Sequence, residues 1–167
     1  INPACVVNQV EDFIDEDNLD TLLAGRFDFL IDAIDGLRAK SALAAWCVRH
    51  KQPFVVSGGA GGRMEPGRIR AGDLGEVAGD PLLSKLRYNL RRHYGFSREP
   101  GVKLRVPCVY SDEQLRRPQS GEACAVDQPL QGLSCAGYGA SMMVTATFGL
   151  HTVTEALRYL QRKAMKE

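Results

Sequence analysis

Asp32 and Asp35 stand at the end of an apolar run, FDFLIDAID over residues 27–35, so that two carboxylates meet the carboxyl end of a candidate strand. Carboxylates in such a place are costly unless water, donors or a cation satisfy them, and Mg²⁺ takes one or two carboxylates together with phosphate oxygens. Metal binding is one reading of the pair. The other is structural, with Asp35 capping the next helix and Asp32 accepting backbone hydrogen bonds. A second group is the glycine run Gly58-Gly59-Ala60-Gly61-Gly62. It permits close backbone approach to a ligand but also suits any tight turn. It fits neither GxxxxGK[ST] nor GxGxxG, so by itself it does not specify a phosphate. The third group is cationic: in residues 81–94, Leu82, Leu83, Leu86, Leu90 and Tyr94 share one helical face, while Lys85, Arg87, Arg91 and Arg92 lie off it. With Arg68, Arg70 and Arg98, this helix either tracks nucleic-acid phosphates with salt-dependent affinity or presents an ordinary solvated face.

Elements that would position these groups can be read from the punctuation of the chain. Residues 5–10 resemble a short strand, and Asp15 or Asp17 offers the cap for a brief helix ending near Gly25. Residues 27–34 are almost wholly apolar, as a strand buried on both faces of a parallel sheet should be. Residues 37–50 are rich in Ala and Leu with no Gly or Pro and predict a helix, closed by Pro53 before the strand FVVSG. Strand, helix and strand form a βαβ unit, whose right-handed crossover puts Asp32, Asp35 and the glycine run at strand carboxyl ends, facing one crevice. Residues 119–134 are poor in apolar side chains and predict a long flexible connection, which contains Cys124. A long helix over residues 140–166 follows, with Met142, Met143, Ala146, Leu150, Val153, Leu157 and Leu160 at core spacing. The Met pair and His151 are read as packing.

The 167 residues amount to a single α/β domain, and 44% hydrophobic with 25% charged residues is the composition of a folded globular chain. A net charge of +1 selects no class of partner, but the charge is segregated. Residues 1–35 hold nine acidic side chains against Arg26 alone, whereas residues 36–117 hold sixteen basic against seven acidic. Five cysteines without a CxxC pair argue against a disulfide framework and a structural zinc, and a reducing, cytoplasmic setting is expected. The uncharged stretch 128–154 is long enough to span a bilayer, yet with His151, Pro129, four Thr and four Gly it reads as a loop feeding a buried helix. The start at Ile1, with no leader-like segment, leads to the expectation that polypeptide upstream is missing.

The opening INP, the strand ending DAID, the block PFVVSGGAGGRMEPGRI, the strand VPCVYS and the helix AGYGASMMVTATFG together resemble the ThiF/MoeB superfamily of ubiquitin-activating-like adenylating enzymes. Within it they are similar to the dehydratases that act on threonylcarbamoyladenosine in tRNA. The resemblance implies a Rossmann-like, three-layer fold with helices on both faces of the sheet, here without the amino-terminal half that carries the family's nucleotide loop. It implies ATP and Mg²⁺ as cofactors, tRNA as substrate, a homodimer, and contact with a sulfur-transfer protein. A carboxylate oxygen leaves poorly until a nucleotide is attached to it, and activation of the threonylcarbamoyl carboxylate would allow the side chain to cyclise. By motif position Asp35 matches the family's metal-binding aspartate, with Asp32 one shell behind, and Gly58, Gly59, Gly61 and Gly62 shape the nucleotide crevice. Cys124 falls where ubiquitin-like activators place a thioester cysteine and is carried only as a candidate. Two further readings remain: an adenylating enzyme for a ubiquitin-like sulfur carrier, in which Asp-Asn would replace Asp35-Gly36 and two CxxC pairs would hold zinc, and an inert dimerisation or binding fragment.

Overall fold

The computed structural model describes residues 2–25, 27–115 and 139–166. The segment 119–134 and Cys124 therefore lie outside the described residues. The elements run α1 (Leu19–Leu22), β1 (Leu30–Asp32), α2 (Leu37–His50), β2 (Phe54–Ser57), a 3₁₀ turn (Pro66–Arg68), β3 (Ile69–Asp73), α3 (Pro81–His93), β4 (Pro107–Ser111) and α4 (Met142–Ala164). The four strands form one sheet in the order β1-β2-β4-β3. β1, β2 and β4 are parallel, with Leu30 opposite Phe54 and Val56 opposite Cys108, while β3 runs antiparallel to β4.

Helices cover both faces of the sheet, as the three-layer expectation required. On one side α2 and α3 pack together over Val56, Cys108 and Val106, burying Leu43, Ala44, Cys47, Leu83, Leu86 and Leu90. On the other, α4 lies across the strands through Val144 and Phe148 against Val55, Ile69 and Val109. α2 spans the predicted residues and stops at Lys51, which adopts the left-handed conformation (φ 54°) while the Gln52 N–H reaches back to Cys47 O. α3 starts as the DPLL sequence dictates, with Pro81 at the first helical position and Asp80 accepting from the Leu83 N–H.

Three expectations are corrected. Residues 5–10 form no strand: Val6, Val7 and Val10 are exposed, and no neighbouring strand among the described residues pairs with them. In the apolar run only Leu30–Asp32 forms a strand, which is the outermost of the sheet among the described residues, and Phe27 and Ile31 are 43% and 46% exposed, because the described helices leave this end of the sheet only partly covered. The buried face of α4 is Val144, Phe148, Thr152 and Ala156, spaced four apart, whereas Met142, Met143, Leu150 and Leu157 face outward and Val153 is 46% exposed. The long helix is therefore only half covered by this sheet. Among the described residues no helix is long and apolar enough to cross a membrane.

Candidate active-site crevice

β1 and β2 end side by side at Asp32 and Ser57, and the chain beyond each turns into the same cavity of about 570 Å³. Ile31, Ala33 and Asp35 contribute from the β1 end and Gly58, Gly59, Ala60 and Gly61 from the β2 end. Arg63, Asp80 and Leu82 lie on one flank, and Thr145, Phe148 and Val153 of α4 on another. The sequence argument placed Asp35 and the glycine run at one crevice, and the fold brings them to one cavity. Gly62 is not among its lining residues; it turns the chain with φ 73° while its N–H donates to Gly139 O at 3.0 Å.

The two aspartates divide as their surroundings dictate. Asp32 is 1% exposed, and its Oδ1 accepts from Lys40 Nζ at 3.0 Å and from the Ile34 N–H at 2.9 Å. Lys40, itself fully buried, also donates to Ile34 O at 2.8 Å. Asp32 Oδ2 is buried with no hydrogen-bond partner. Burial pushes the Asp32 carboxyl above its ordinary range, and the nearby Lys40 ammonium only partly offsets that. Asp35 is exposed and makes no hydrogen bond or ion pair among the described residues. It does not cap α2, whose N-cap is Gly36. The structural alternative thus holds for Asp32 and is excluded for Asp35, whose carboxylate is left facing the cavity.

The glycine turn is built around Asp80. Asp80 is 1% exposed; its Oδ1 caps α3 through the Leu83 N–H and its Oδ2 accepts the Gly59 N–H, both at 3.0 Å. Arg63, equally buried, places Nη2 3.4 Å from Asp80 Oδ2 and donates to Gly79 O at 3.2 Å. A Cβ on Gly58 would stand 2.4 Å from Asp80 Oδ2 and 3.1 Å from Val109 O, so glycine is obligatory there. Farther along, the buried Glu113 carboxylate accepts the Met64 and Glu65 N–H groups and ties the end of the turn to the chain after β4. Sequence reasoning missed Lys40, Arg63, Asp80 and Glu113. The Asp80-Pro81 pair carries a helix-start signal that could have found Asp80; Arg63 and Glu113 carry none.

The cationic helix is less uniform than its sequence. Arg87 donates to Leu74 O at 2.8 Å and Val77 O at 2.6 Å, and Arg91 donates to Ser97 O at 2.9 Å. Arg92 lies over the Tyr88 ring, 5.7 Å from its centroid, and donates to its hydroxyl. Lys85 and Arg92 are exposed, while Arg87 and Arg91 are half-buried and engaged with backbone carbonyls. Among the described residues no cluster of three or more His, Cys, Asp or Glu side chains is placed to hold a metal ion. Burial raises the thiols of Cys47, to about 12, and of Cys108, so neither is a nucleophile.

A family model described as the ThiF family matches residues 1–167. The chain belongs to the ThiF family. The tRNA threonylcarbamoyladenosine dehydratase of Escherichia coli is 43% identical over 172 residues, covering 100% of this chain and 64% of that protein. Its counterpart from Haemophilus influenzae is 40% identical, covering 98% of this chain and 62% of that protein. The crystal structure of the E. coli dehydratase TcdA in complex with ATP superposes with a TM-score of 0.85 at 39% identity, covering 99% of this chain and 61% of that one. The complex with AMP also gives 0.85, at 40% identity, covering 98% and 60%. This ThiF-family chain thus spans about three fifths of the length of the relatives it matches.

Proposed function

We propose that this chain is part of an ATP-dependent dehydratase that cyclises threonylcarbamoyladenosine in tRNA. The observation that carries the reading is the shared cavity of Asp35 and the glycine turn, in a chain 43% identical to an enzyme of that name and of the same fold as one bound to ATP. In the reaction, the substrate carboxylate attacks the α-phosphorus of ATP and pyrophosphate leaves. An atom of the same side chain then attacks the carboxyl carbon, and AMP departs with the oxygen that is lost. What the cavity contributes is orientation and exclusion of water, with apolar walls at Ile31, Leu82, Phe148 and Val153. A hard cation fits the donor present, because Asp35 offers a cavity-lining carboxylate that is unpaired among the described residues. Asp35 would hold Mg²⁺ together with phosphate oxygens; a supporting role for Asp32, whose Oδ1 is taken up by Lys40 and the Ile34 N–H, stands on the resemblance alone. An ion held at Asp35 would supply positive charge to offset that of the reacting phosphate.

The rest of the reading follows from this. Exposed Lys85 and Arg92 on α3 support a nucleic-acid face. The outward stripe of α4 supports contact with further polypeptide, the homodimer included. A tRNA substrate and buried thiols accord with a cytoplasmic setting; a sulfur-transfer protein as partner stands on the resemblance alone. Pyrophosphate release by the full-length protein tests the proposal. Stimulation by tRNA carrying threonylcarbamoyladenosine, and not by the unmodified tRNA, is expected. Stimulation by a carrier protein ending in Gly-Gly instead would replace this reading with the sulfur-carrier activator. ATP hydrolysis by the isolated 167 residues at the full-length rate would exclude the inert-fragment reading.

A further inference from the structure

The glycine turn commits its backbone donors unevenly. Gly58 N–H donates to Val109 O at 2.8 Å, Gly59 N–H to Asp80 Oδ2 at 3.0 Å, and Gly62 N–H to Gly139 O at 3.0 Å. The Ala60 and Gly61 N–H groups make no hydrogen bond among the described residues, and both residues line the cavity that Asp35 also lines. Two consecutive free donors on a cavity wall suit an anionic oxygen. The cavity also sets the kind of anion. Arg63 is its only cationic lining residue among those described, and that guanidinium is occupied by Asp80 and Gly79 O, leaving its buried Nε without a partner. The remaining wall is largely apolar, and Asp80 lies directly behind the turn. At the turn this leaves two neutral donors whose one described cationic neighbour is already engaged, which suits a single carboxylate, while the phosphates of a nucleotide would lie with the cation at Asp35.

We propose that the Ala60 and Gly61 N–H groups seat the carboxylate of the substrate, and that Asp80 is the positioning residue that holds them in place. The proposal rests on the dehydratase reading for the identity of the carboxylate, a threonylcarbamoyl group, but not for the existence of the seat. Asp80 fixes the turn from both ends: one oxygen holds Gly59, next to the two free donors, and the other holds the first turn of α3. Arg63 sits between Asp80 and Gly79 and locks the carboxylate's orientation. When the carboxyl carbon is attacked, charge builds on the oxygen facing the two N–H groups, so the seat gains strength in the transition state.

The test uses the full-length protein, ¹⁵N-labelled, with N-carbamoyl-L-threonine as probe and its methyl ester as the uncharged control. Saturable shifts of the Ala60 and Gly61 amide resonances with the acid, and not with the ester, are expected. No shift, or equal shifts with both, overturns the seat. The double variant Arg63→Gln/Asp80→Asn removes the charge pair together, so that no buried ion is stranded, and Asn retains the helix cap. Its carboxamide nitrogen cannot accept the Gly59 N–H. In that variant the probe shifts should vanish, and kcat on modified tRNA should fall about 100-fold, as misplacement of about 1 Å costs, with KM for ATP unchanged. A folded double variant with unaltered kcat overturns the positioning role. Should the wild-type protein show the probe shifts but no turnover of modified tRNA, the dehydratase reading fails and the seat stands.

Discussion

Replacing Gly58 by Ala perturbs one contact that the structure specifies closely. The new methyl carbon would lie 2.4 Å from Asp80 Oδ2, 3.1 Å from Leu83 Cδ1 and 3.1 Å from Val109 O. Two of the three neighbours cannot yield cheaply, because Val109 O is backbone in β4 and Asp80 is held by the Leu83 and Gly59 N–H groups and by Arg63. Overpacking costs about 1–3 kcal/mol, and displacing Asp80 from the Gly59 N–H forfeits a charge-assisted hydrogen bond of about 1.5–3 kcal/mol. Partial relaxation keeps these from adding in full, so a loss of about 3 kcal/mol is expected. In urea denaturation followed by circular dichroism, that is a fall in midpoint of about 1–2 M at an ordinary slope. The control is Gly149→Ala on α4, where a Cβ meets nothing within 4 Å and helix propensity predicts a gain of about 0.5–1 kcal/mol. If Gly58→Ala costs less than about 0.5 kcal/mol, within the range of unremarkable surface substitutions, the Asp80-centred turn is not rigid and the reasoning fails.

Asp32 holds its proton in the native state at pH values where the unfolded chain has already released it, because burial raises its carboxyl above 3.8. Its contribution to stability should therefore decline as pH rises from about 4 through the raised native value. Asp32→Asn should remove that slope in urea midpoints; a slope unchanged by the substitution contradicts it. Iodoacetamide at mildly alkaline pH should label the exposed Cys5 in the native protein and reach Cys47 and Cys108 only after denaturation, as peptide mass mapping would show; native labelling of either buried thiol refutes the burial argument. Arg87→Ala should cost about 2 kcal/mol through its bonds to Leu74 O and Val77 O. The double substitution Lys85→Ala/Arg92→Ala should leave stability nearly intact and lower the salt slope of tRNA binding by about 2. An unaltered slope returns α3 to a solvated face.

Local signals in the sequence were strong where the chain satisfies itself, and weak where a neighbour decides. The Ala- and Leu-rich run of α2, closed by Pro53, and the DPLL start of α3 needed no tertiary information. β1 was overextended because an apolar run does not reveal whether both faces are covered, and Phe27 and Ile31 turn out half exposed. α4 carries two apolar stripes, and periodicity cannot tell which one touches the sheet; the choice fell on Val144, Phe148, Thr152 and Ala156. The convergence of Asp35 with the glycine turn was legible, since parallel strands joined by a crossover must end together. The charges that hold the crevice in shape were not. Lys40 is eight residues from Asp32, Asp80 lies 21 from Gly59, and Glu113 lies 49 from Met64, pairings that only the folded topology creates.

The most direct measurement is ATP-dependent pyrophosphate release by full-length Asp35→Asn protein with tRNA carrying threonylcarbamoyladenosine. The substitution keeps the side chain's shape and removes its charge from a carboxylate that faces the cavity without a partner among the described residues. A loss of turnover by orders of magnitude at an unchanged urea midpoint is predicted. Near-wild-type turnover would contradict the account at its centre, because the crevice between Asp35 and the glycine turn would then not be where the chemistry occurs.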